Sequence, residues 1–342
     1  MLRKFLIPLL CACACVVQAG CTPVRTKLAY TVYPIGYILQ RITGDNNALV
    51  SVQDESAPVC VQRAQASTDF DTVLERSEVL FHIGILEPYL AVHQQDISAS
   101  SVNDVDLSSL NAVYDLKRYI PYVNEKGEDD FKEEPFYEGK IFENIDMTEK
   151  DLSLWNDPIT MLSMSRAVRN WIIKNDPSHT DTYEKNYEQL EEDLINLDAQ
   201  YQMLSTQLSD EGKRIAFVSV TPSYGSWQKA YGFEVYPLML SRFGVLPDED
   251  QIQAMEAAIK ADQVEYIVHE TNLSMDMENL YQRVQKDLNL KEIGFSDLSS
   301  LSISQKADGK DYLSIMYENL AALENMQTDD MKTGTNIQND PE

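Results

Sequence analysis

Two groups of residues in this 342-residue chain can do chemistry: a cysteine placed for covalent modification near the N-terminus, and a few metal-capable side chains far from it. Cys21 follows Ala19-Gly20, and ahead of it lie Arg3-Lys4 and an apolar run from Phe5 to Val17. A basic start, an apolar stretch of about a dozen residues and small residues before a cysteine make a secretory signal that is cut and lipidated at that cysteine. Gln18 departs from this pattern, which favours an apolar residue there. The alternatives are an ordinary cleaved signal or an N-terminal membrane helix, but the run is short of the ~20 residues that a span needs. The expectation is a mature chain that starts at Cys21, acylated and lipid-anchored on the extracytoplasmic face of the cell membrane. Residues 21–26 then form a short tether, and Cys11, Cys13 and Cys15 are discarded with the signal.

Cys60 is the thiol left to the fold, so no intramolecular disulfide is expected. Between Val59 and Val61 it fits a soft metal ligand and a small buried hydrophobe about equally. Among the histidines, His82 ends an apolar strand and reads as a satisfied, partly buried side chain, while His93 and His179 sit at helix ends. His269 with Glu270 closes a strand, and the carboxyl ends of parallel strands are where α/β sheets bind ligands. A structural role for His269 stands beside the ligand role. No G-x-S-x-G, H-E-x-x-H or glycine-rich phosphate loop occurs, so a binding protein is expected and not an enzyme. The formal net charge of −27 becomes more negative once the signal, with its two cations, is removed. Such a surface repels nucleic acid and anionic headgroups, which excludes a nucleic-acid partner and leaves attachment to the lipid.

These residues are positioned by alternating strand-like and helical stretches. Leu28–Tyr33, Leu49–Gln53, Val79–His82 and Ala112–Asp115 read as strands, with Ile35–Ile42 helical between the first two. Strands separated by helices imply βαβ units and parallel-type sheets. From Asn124 to Lys150 the chain is acidic and aperiodic, which reads as a solvated loop or hairpin insertion, with a weak cation-collecting loop as the alternative. Tyr183, Tyr187, Leu190, Leu194, Leu197, Tyr201, Leu204 and Leu208 are spaced by fours and threes, which predicts one continuous helix near Thr180–Ser209. Beyond it the rhythm resumes, with strands at Arg214–Ser219, Phe233–Tyr236, Val264–Val268 and Glu292–Phe295. Helices are expected at Trp227–Tyr231, Asp248–Ala261, Met275–Leu288 and Asp311–Leu323. The predicted organisation is an N-terminal α/β lobe over residues 27–176 with an insertion at 124–150, a linking helix within 177–211, a C-terminal α/β lobe over 212–326, and a polar, disordered tail at 327–342.

Several segments resemble the solute-binding lipoproteins of zinc and manganese ABC importers. Gly84-Ile85-Leu86-Glu87-Pro88-Tyr89-Leu90 resembles that family's G-x-L-E-P-W/Y-L, and Trp155-Asn156-Asp157-Pro158 its W-x-D-P. Leu28–Gly44 is similar to its first strand and helix, Phe217–Gly232 to the opening of its second lobe, and Asp311–Met316 with Glu318-Asn319-Leu320 to its closing helix. The resemblance covers nearly the whole mature chain. It implies two α/β lobes joined by one long rigid helix, a ligand cleft between the lobes, an ABC permease as partner, a monomeric receptor, and zinc or manganese as transported ligand.

The same resemblance shows where this chain departs. The family places three histidines and a carboxylate in the cleft, because borderline-soft divalent metals favour imidazole with an anionic oxygen. Here the first imidazole position falls on Val59, Cys60, Val61 or Gln62, the second on Ser153 and the third on Thr221; only the carboxylate survives, as Asp297. Glu270 matches a carboxylate common at that strand end. The resemblance therefore implies a degenerate metal site, with Asp297, Glu270, Cys60, Ser153, Thr221 and His269 as the cleft candidates. The alternative is the same fold holding a non-metal small solute, for which Ser153, Thr221, Tyr224 and Asn272 are suitable hydrogen-bonding residues, or serving as a surface interaction or adhesion lipoprotein.

Overall fold

The computed structural model describes residues 27–44, 48–54, 60–84, 87–110, 113–147, 150–151, 153–271, 273–326 and 328–329. Cys21, Val59, Asn272 and most of the polar tail lie outside these. The first lobe is a four-stranded parallel sheet built from β1 (Lys27–Tyr30), β2 (Ala48–Ser51), β3 (Val79–His82) and β4 (Asn103–Asp106), ordered β2-β1-β3-β4. Helix α1 (Tyr33–Thr43) crosses from β1 to β2, and α2 (Phe70–Arg76), α3 (Pro88–Val92) and α4 (Gln94–Ala99) complete the crossovers. The expected strand at Ala112–Asp115 does not form among the described residues; Asp115 makes only an isolated bridge to Lys150, and β4 takes the place at the sheet edge. An edge strand buries little, so its exposed Asn103 and Asp104 gave no apolar signal.

A hairpin, β5 (Arg118–Val123) with β6 (Asp129–Glu134), carries the acidic stretch and is antiparallel throughout. Its turn and second strand fall in the stretch read as a loop or hairpin from Asn124, whereas β5 begins earlier, at Arg118.

Helix α5 (Pro158–Asn175), started by Asp157 accepting from the Ile159 N–H, leads into α6 (Thr180–Glu211). Its 32 residues rise ~48 Å at 1.5 Å each. All eight residues of the four-three stripe are buried on one face, and Gly212 ends the helix in the left-handed conformation at φ 61°. Along that length α6 serves both lobes. Asn186 Nδ2 donates to the Ile42 carbonyl (3.0 Å) and Asp193 pairs with Arg41 (2.5 Å), whereas Tyr201 Oη donates to the Met316 carbonyl (2.9 Å) and Ser205 Oγ to that of Tyr231 (2.7 Å).

The second lobe repeats the plan. After β7 (Lys213–Arg214) come β8 (Ala216–Ser219), α7 (Ser226–Tyr231), β9 (Glu234–Pro237), α8 (Glu249–Ala261), β10 (Tyr266–Glu270), α9 (Met275–Leu288), β11 (Lys291–Phe295), α10 (Ile303–Ala307), α11 (Tyr312–Glu324) and β12 (Thr328–Asp329). Its parallel sheet is ordered β9-β8-β10-β11, and β12 pairs with β7. One apolar core runs from α1 through the α6 stripe to Phe217, Trp227 and Phe295 and so binds the two lobes together. The architecture is two parallel-sheet α/β lobes on one long helix, as the sequence predicts.

Candidate functional site

The carboxyl ends of β8, β10 and β11 converge beneath the segment 151–157 that leads into α5. Glu270, the last residue of β10, is 2% exposed. Its Oε2 accepts from the backbone N–H groups of Val220 (2.7 Å) and Thr221 (3.1 Å), just past β8, and its Oε1 meets the Thr221 hydroxyl in a short hydrogen bond. Asp297, two residues past β11, is 3% exposed. Its Oδ1 accepts from the Ser299 N–H (3.1 Å) and hydroxyl (2.9 Å), and its Oδ2 faces Ser223 Oγ at 3.3 Å. The Thr221 and Ser223 hydroxyl oxygens are 2.6 Å apart and close the chain Glu270–Thr221–Ser223–Asp297.

That chain has three oxygen–oxygen links but only two hydroxyl hydrogens, so filling all three takes one carboxyl proton. Burial pushes the Glu270 carboxyl up to about 8, with the nearby Asp297 charge adding to it, and burial raises Asp297 as well. Burial therefore favours a proton within the cluster, and the hydroxyl chain links the two carboxyls that can carry it. With the proton on Glu270 the donors run towards Asp297; with it on Asp297 they run the other way.

Ser153 reaches this region through backbone geometry. Its N–H donates to Asp151 Oδ1 (2.9 Å), while Asp151 Oδ2 accepts from the Ser226 N–H at the start of α7 (2.7 Å). Burial pushes Asp151 up to about 7. The rest of the segment is held to the second lobe by Trp155 Nε1 donating to the Asp297 carbonyl (2.7 Å) and Asn156 Nδ2 to that of Ser223 (2.7 Å). Cys60 packs in the second lobe's apolar cluster with Val218, Val220 and Tyr236. Burial, then the charges of Asp297 and Glu270, push its thiol up to about 12, so at neutral pH it is a thiol and not a thiolate ligand. His269 faces away from these groups: half-exposed, it stacks on Tyr281 and pairs through Nε2 with Glu278 Oε2 (2.9 Å). His82 is paired with Asp104 (2.6 Å), His93 with Asp96 (3.1 Å) and His179 with Asp176 (2.8 Å), so none of these turns to the cleft.

The structure thus brings Asp297, Glu270, Thr221 and, by its charge coupling to them, Cys60 into one neighbourhood; Ser153 is tied to it through Trp155, and His269 stands apart. Sequence reasoning missed Ser223, although its place two residues after Thr221 beyond a strand end put two hydroxyls on one turn. It also missed Arg63. Its guanidinium donates to the Gly244 carbonyl from Nε (2.9 Å) and Nη2 (2.7 Å), and from Nη1 to Ser274 Oγ (2.9 Å) and Asp276 Oδ1 (2.8 Å), fastening the Cys60 loop across the cleft. Polar atoms without a hydrogen-bond partner gather nearby: Gln53 Oε1, both ends of the Gln62 carboxamide, and Tyr224 Oη are all buried and unsatisfied.

The arrangement offers a divalent cation two buried carboxyls that favour a proton, neutral hydroxyls and a protonated thiol. Zinc favours imidazole, thiolate and carboxylate, so this donor set fits it poorly.

Residues 29–326 match the family model described as zinc-uptake complex component A, periplasmic. A zinc-binding lipoprotein, AdcA, of Streptococcus pneumoniae strain R6 is 26% identical over 188 residues, which is 54% of this chain and 35% of that protein. The high-affinity zinc uptake system protein ZnuA of Bacillus subtilis is 27% identical over 178 residues, 51% of this chain and 52% of that one. The chain therefore aligns with about a third to a half of the length of these relatives. The periplasmic zinc-binding protein TroA from Treponema pallidum superposes with a TM-score of 0.67 at 16% identity, over 88% of this chain and 99% of that one, a likeness of fold.

Proposed function

The chain belongs to the family of periplasmic zinc-uptake component A, and on that premise we propose that it is an extracytoplasmic solute-binding lipoprotein that serves a metal-type ABC permease in the same membrane. It acts as a monomeric receptor and catalyses nothing. Acylation at Cys21 holds it at the membrane. The observation that carries this reading is the pair of buried acids, Asp297 and Glu270, at the carboxyl ends of adjacent strands where one lobe closes on the other through Trp155. Metal, zinc or manganese, is the cargo class of the family, and Asp297 is the first residue that would meet it, with Glu270 next. The site is degenerate, because Thr221 and Ser153 contribute neutral oxygens where the family carries imidazoles.

Calorimetry with zinc and with manganese is the test. Weak or absent binding is expected, with Asp297→Ala removing whatever remains. Tight zinc binding that survives Asp297→Ala would overturn the site assignment. A second reading, a cleft that takes a non-metal solute, is favoured by the unsatisfied Gln53, Gln62 and Tyr224, since buried polar atoms without partners cost about 1–3 kcal/mol each.

A further inference from the structure

Arg63 fastens the first lobe to the second at one point, and exposed apolar side chains gather around that point. Its guanidinium grips the Gly244 carbonyl from Nε (2.9 Å) and Nη2 (2.7 Å), and from Nη1 it grips Ser274 Oγ (2.9 Å) and Asp276 Oδ1 (2.8 Å). On either side of Gly244 stand Phe243, 50% exposed, and Val245, 65% exposed; between Ser274 and Asp276 stands Met275, 82% exposed. Gly244 lies in the left-handed region at φ 70°, and a Cβ there would be 2.6 Å from Arg63 Cγ. The backbone of this turn is therefore pressed against Arg63 while its two flanking side chains are left outside. From the first lobe, α3 lies against residues 61–63 and ends in Val92, 80% exposed.

The segments that carry these side chains all follow the carboxyl ends of strands: α3 follows β3, the turn at 241–247 follows β9, and Met275 follows β10. They belong to the face on which the cleft opens. Beside Phe243 and Val245 is a concavity of about 400 Å³ lined by Leu238, Leu240, Leu246 and Ile145, a socket for an apolar side chain from outside. Arg242 covers one face of the Phe243 ring at 4.7 Å, so Val245 and Met275 are the open part. Single exposed apolar residues are ordinary, but three of them adjacent to the groups that one guanidinium grips, next to an apolar socket, form a patch of the kind that marks a protein contact. The charge around it is negative: residues 241–250 and 274–278 carry Asp248, Glu249, Asp250, Asp276 and Glu278 against Arg242, to which Arg63 adds one cation. An apolar centre in an acidic margin repels anionic headgroups and suits a protein surface that presents apolar side chains among lysines and arginines.

We propose that this patch is where the closed receptor docks on its permease, with apolar side chains of a cationic extracytoplasmic loop seated on Phe243, Val245 and Met275 and with Val92 completing the contact from the first lobe. The two lobes hold these residues in one arrangement only while Arg63 bridges them, so the partner distinguishes the closed receptor from the open one. The inference rests on the receptor reading above and assigns its contact surface; it is independent of which solute is carried.

The test is site-specific photocrosslinking of the full acylated protein in its own cells. Benzoylphenylalanine replaces Val92, Val245 or Met275 in turn, with Ile195 and Met203, exposed on α6 outside the patch, as control positions. Adducts are identified by mass spectrometry, and each variant is checked for folding by circular dichroism. Adducts with the membrane-embedded subunit of an ABC permease are expected from all three patch positions, at least tenfold above either control. Val245→Asp combined with Met275→Asp is expected to lower the adduct from position 92 at least tenfold, and Arg63→Ala, which leaves every apolar side chain in place, to lower it at least threefold. Permease adducts from the α6 positions alone would overturn this surface and leave the receptor reading intact, whereas permease adducts from no position would overturn both. Patch adducts only with lipid, or only with a second copy of this chain, would also overturn the proposal. An undiminished yield in the Arg63→Ala protein would overturn recognition of the closed state.

Discussion

Glu270 carries the most testable physics at the scale of single residues. Its ordinary carboxyl value of 4.5 is pushed up to about 8 by burial, and Glu87, whose Oε2 accepts from Thr31 and from the Ile83 N–H, is pushed up to about 8 in the same way. For a carboxyl raised on folding, the folded chain binds more protons than the unfolded one between the two values. The stability it contributes is fully present below about pH 4.5 and is lost as pH rises through about 8. The melting temperature should therefore climb as pH is lowered from about 8 to about 5.5, the reverse of a protein held by surface carboxylates. Glu270→Gln copies the protonated acid: its amide oxygen can accept from Val220 and Thr221, and its NH₂ can donate to the Thr221 hydroxyl. That variant is expected to flatten the pH slope and to match or exceed the native protein at pH 8, whereas Glu270→Ala strands buried N–H groups and costs about 1–3 kcal/mol. A Glu270→Gln protein that keeps the full slope in thermal melts would show that the proton resides elsewhere. The residue types of the cluster were legible in the sequence as Asp297, Glu270 and Thr221, because a resemblance set their positions. The proton was not, because it follows from three oxygen distances that no spacing in the chain reveals.

At the scale of elements, legibility tracked burial. The α6 stripe could be read because eight large apolar side chains face one core without interruption, and its observed bounds, Thr180–Glu211, differ from the expected Thr180–Ser209 only at the fraying end. Met275–Leu288 and Val79–His82 were read to the residue for the same reason. The edge strand β4 was not, since it is held by a backbone ladder with polar side chains outward, and the hairpin β5–β6 was read only as one alternative from Asn124 on, because exposed Tyr122 and Val123 leave β5 without a one-sided apolar pattern. The Cys60 loop was legible only as a lost ligand position, yet its Arg63 makes four hydrogen bonds to two separate segments of the other lobe. Arg63 in turn holds the Asp276 carboxyl well below its usual range. Because Asp276 is 55% exposed, solvent screens that ion pair, and the bonds to the Gly244 carbonyl do most of the fastening. Arg63→Ala is expected to cost about 1–2 kcal/mol and to open the cleft. Hydrogen exchange should then quicken together in residues 60–64, 241–247 and 273–276 while α6 is unchanged; unaltered exchange in the first three segments would show that Arg63 does not latch the lobes.

At the scale of the whole molecule, the question is what keeps a strongly acidic receptor beside its membrane. Among the described residues no helix is long and apolar enough to cross a bilayer. The formal charge of −27 for the full sequence opposes adsorption to anionic headgroups, whose attraction is reserved for clustered cations. The proposed attachment is the acyl group on Cys21, six residues before β1 begins at Lys27. A tether that short keeps the first lobe close to the bilayer surface, where electrostatic repulsion works against the lipid and lifts the body outward. Two consequences separate this picture from adsorption by the protein surface. Cys21→Ser should move the protein into the soluble or secreted fraction. High salt, which screens repulsion and attraction alike, should not wash the native protein off membranes. Fractionation of the two forms at low and high salt measures both, and equal partitioning of native and Cys21→Ser protein would refute the lipid anchor and with it the reading of Gln18-Ala19-Gly20-Cys21 as its signal.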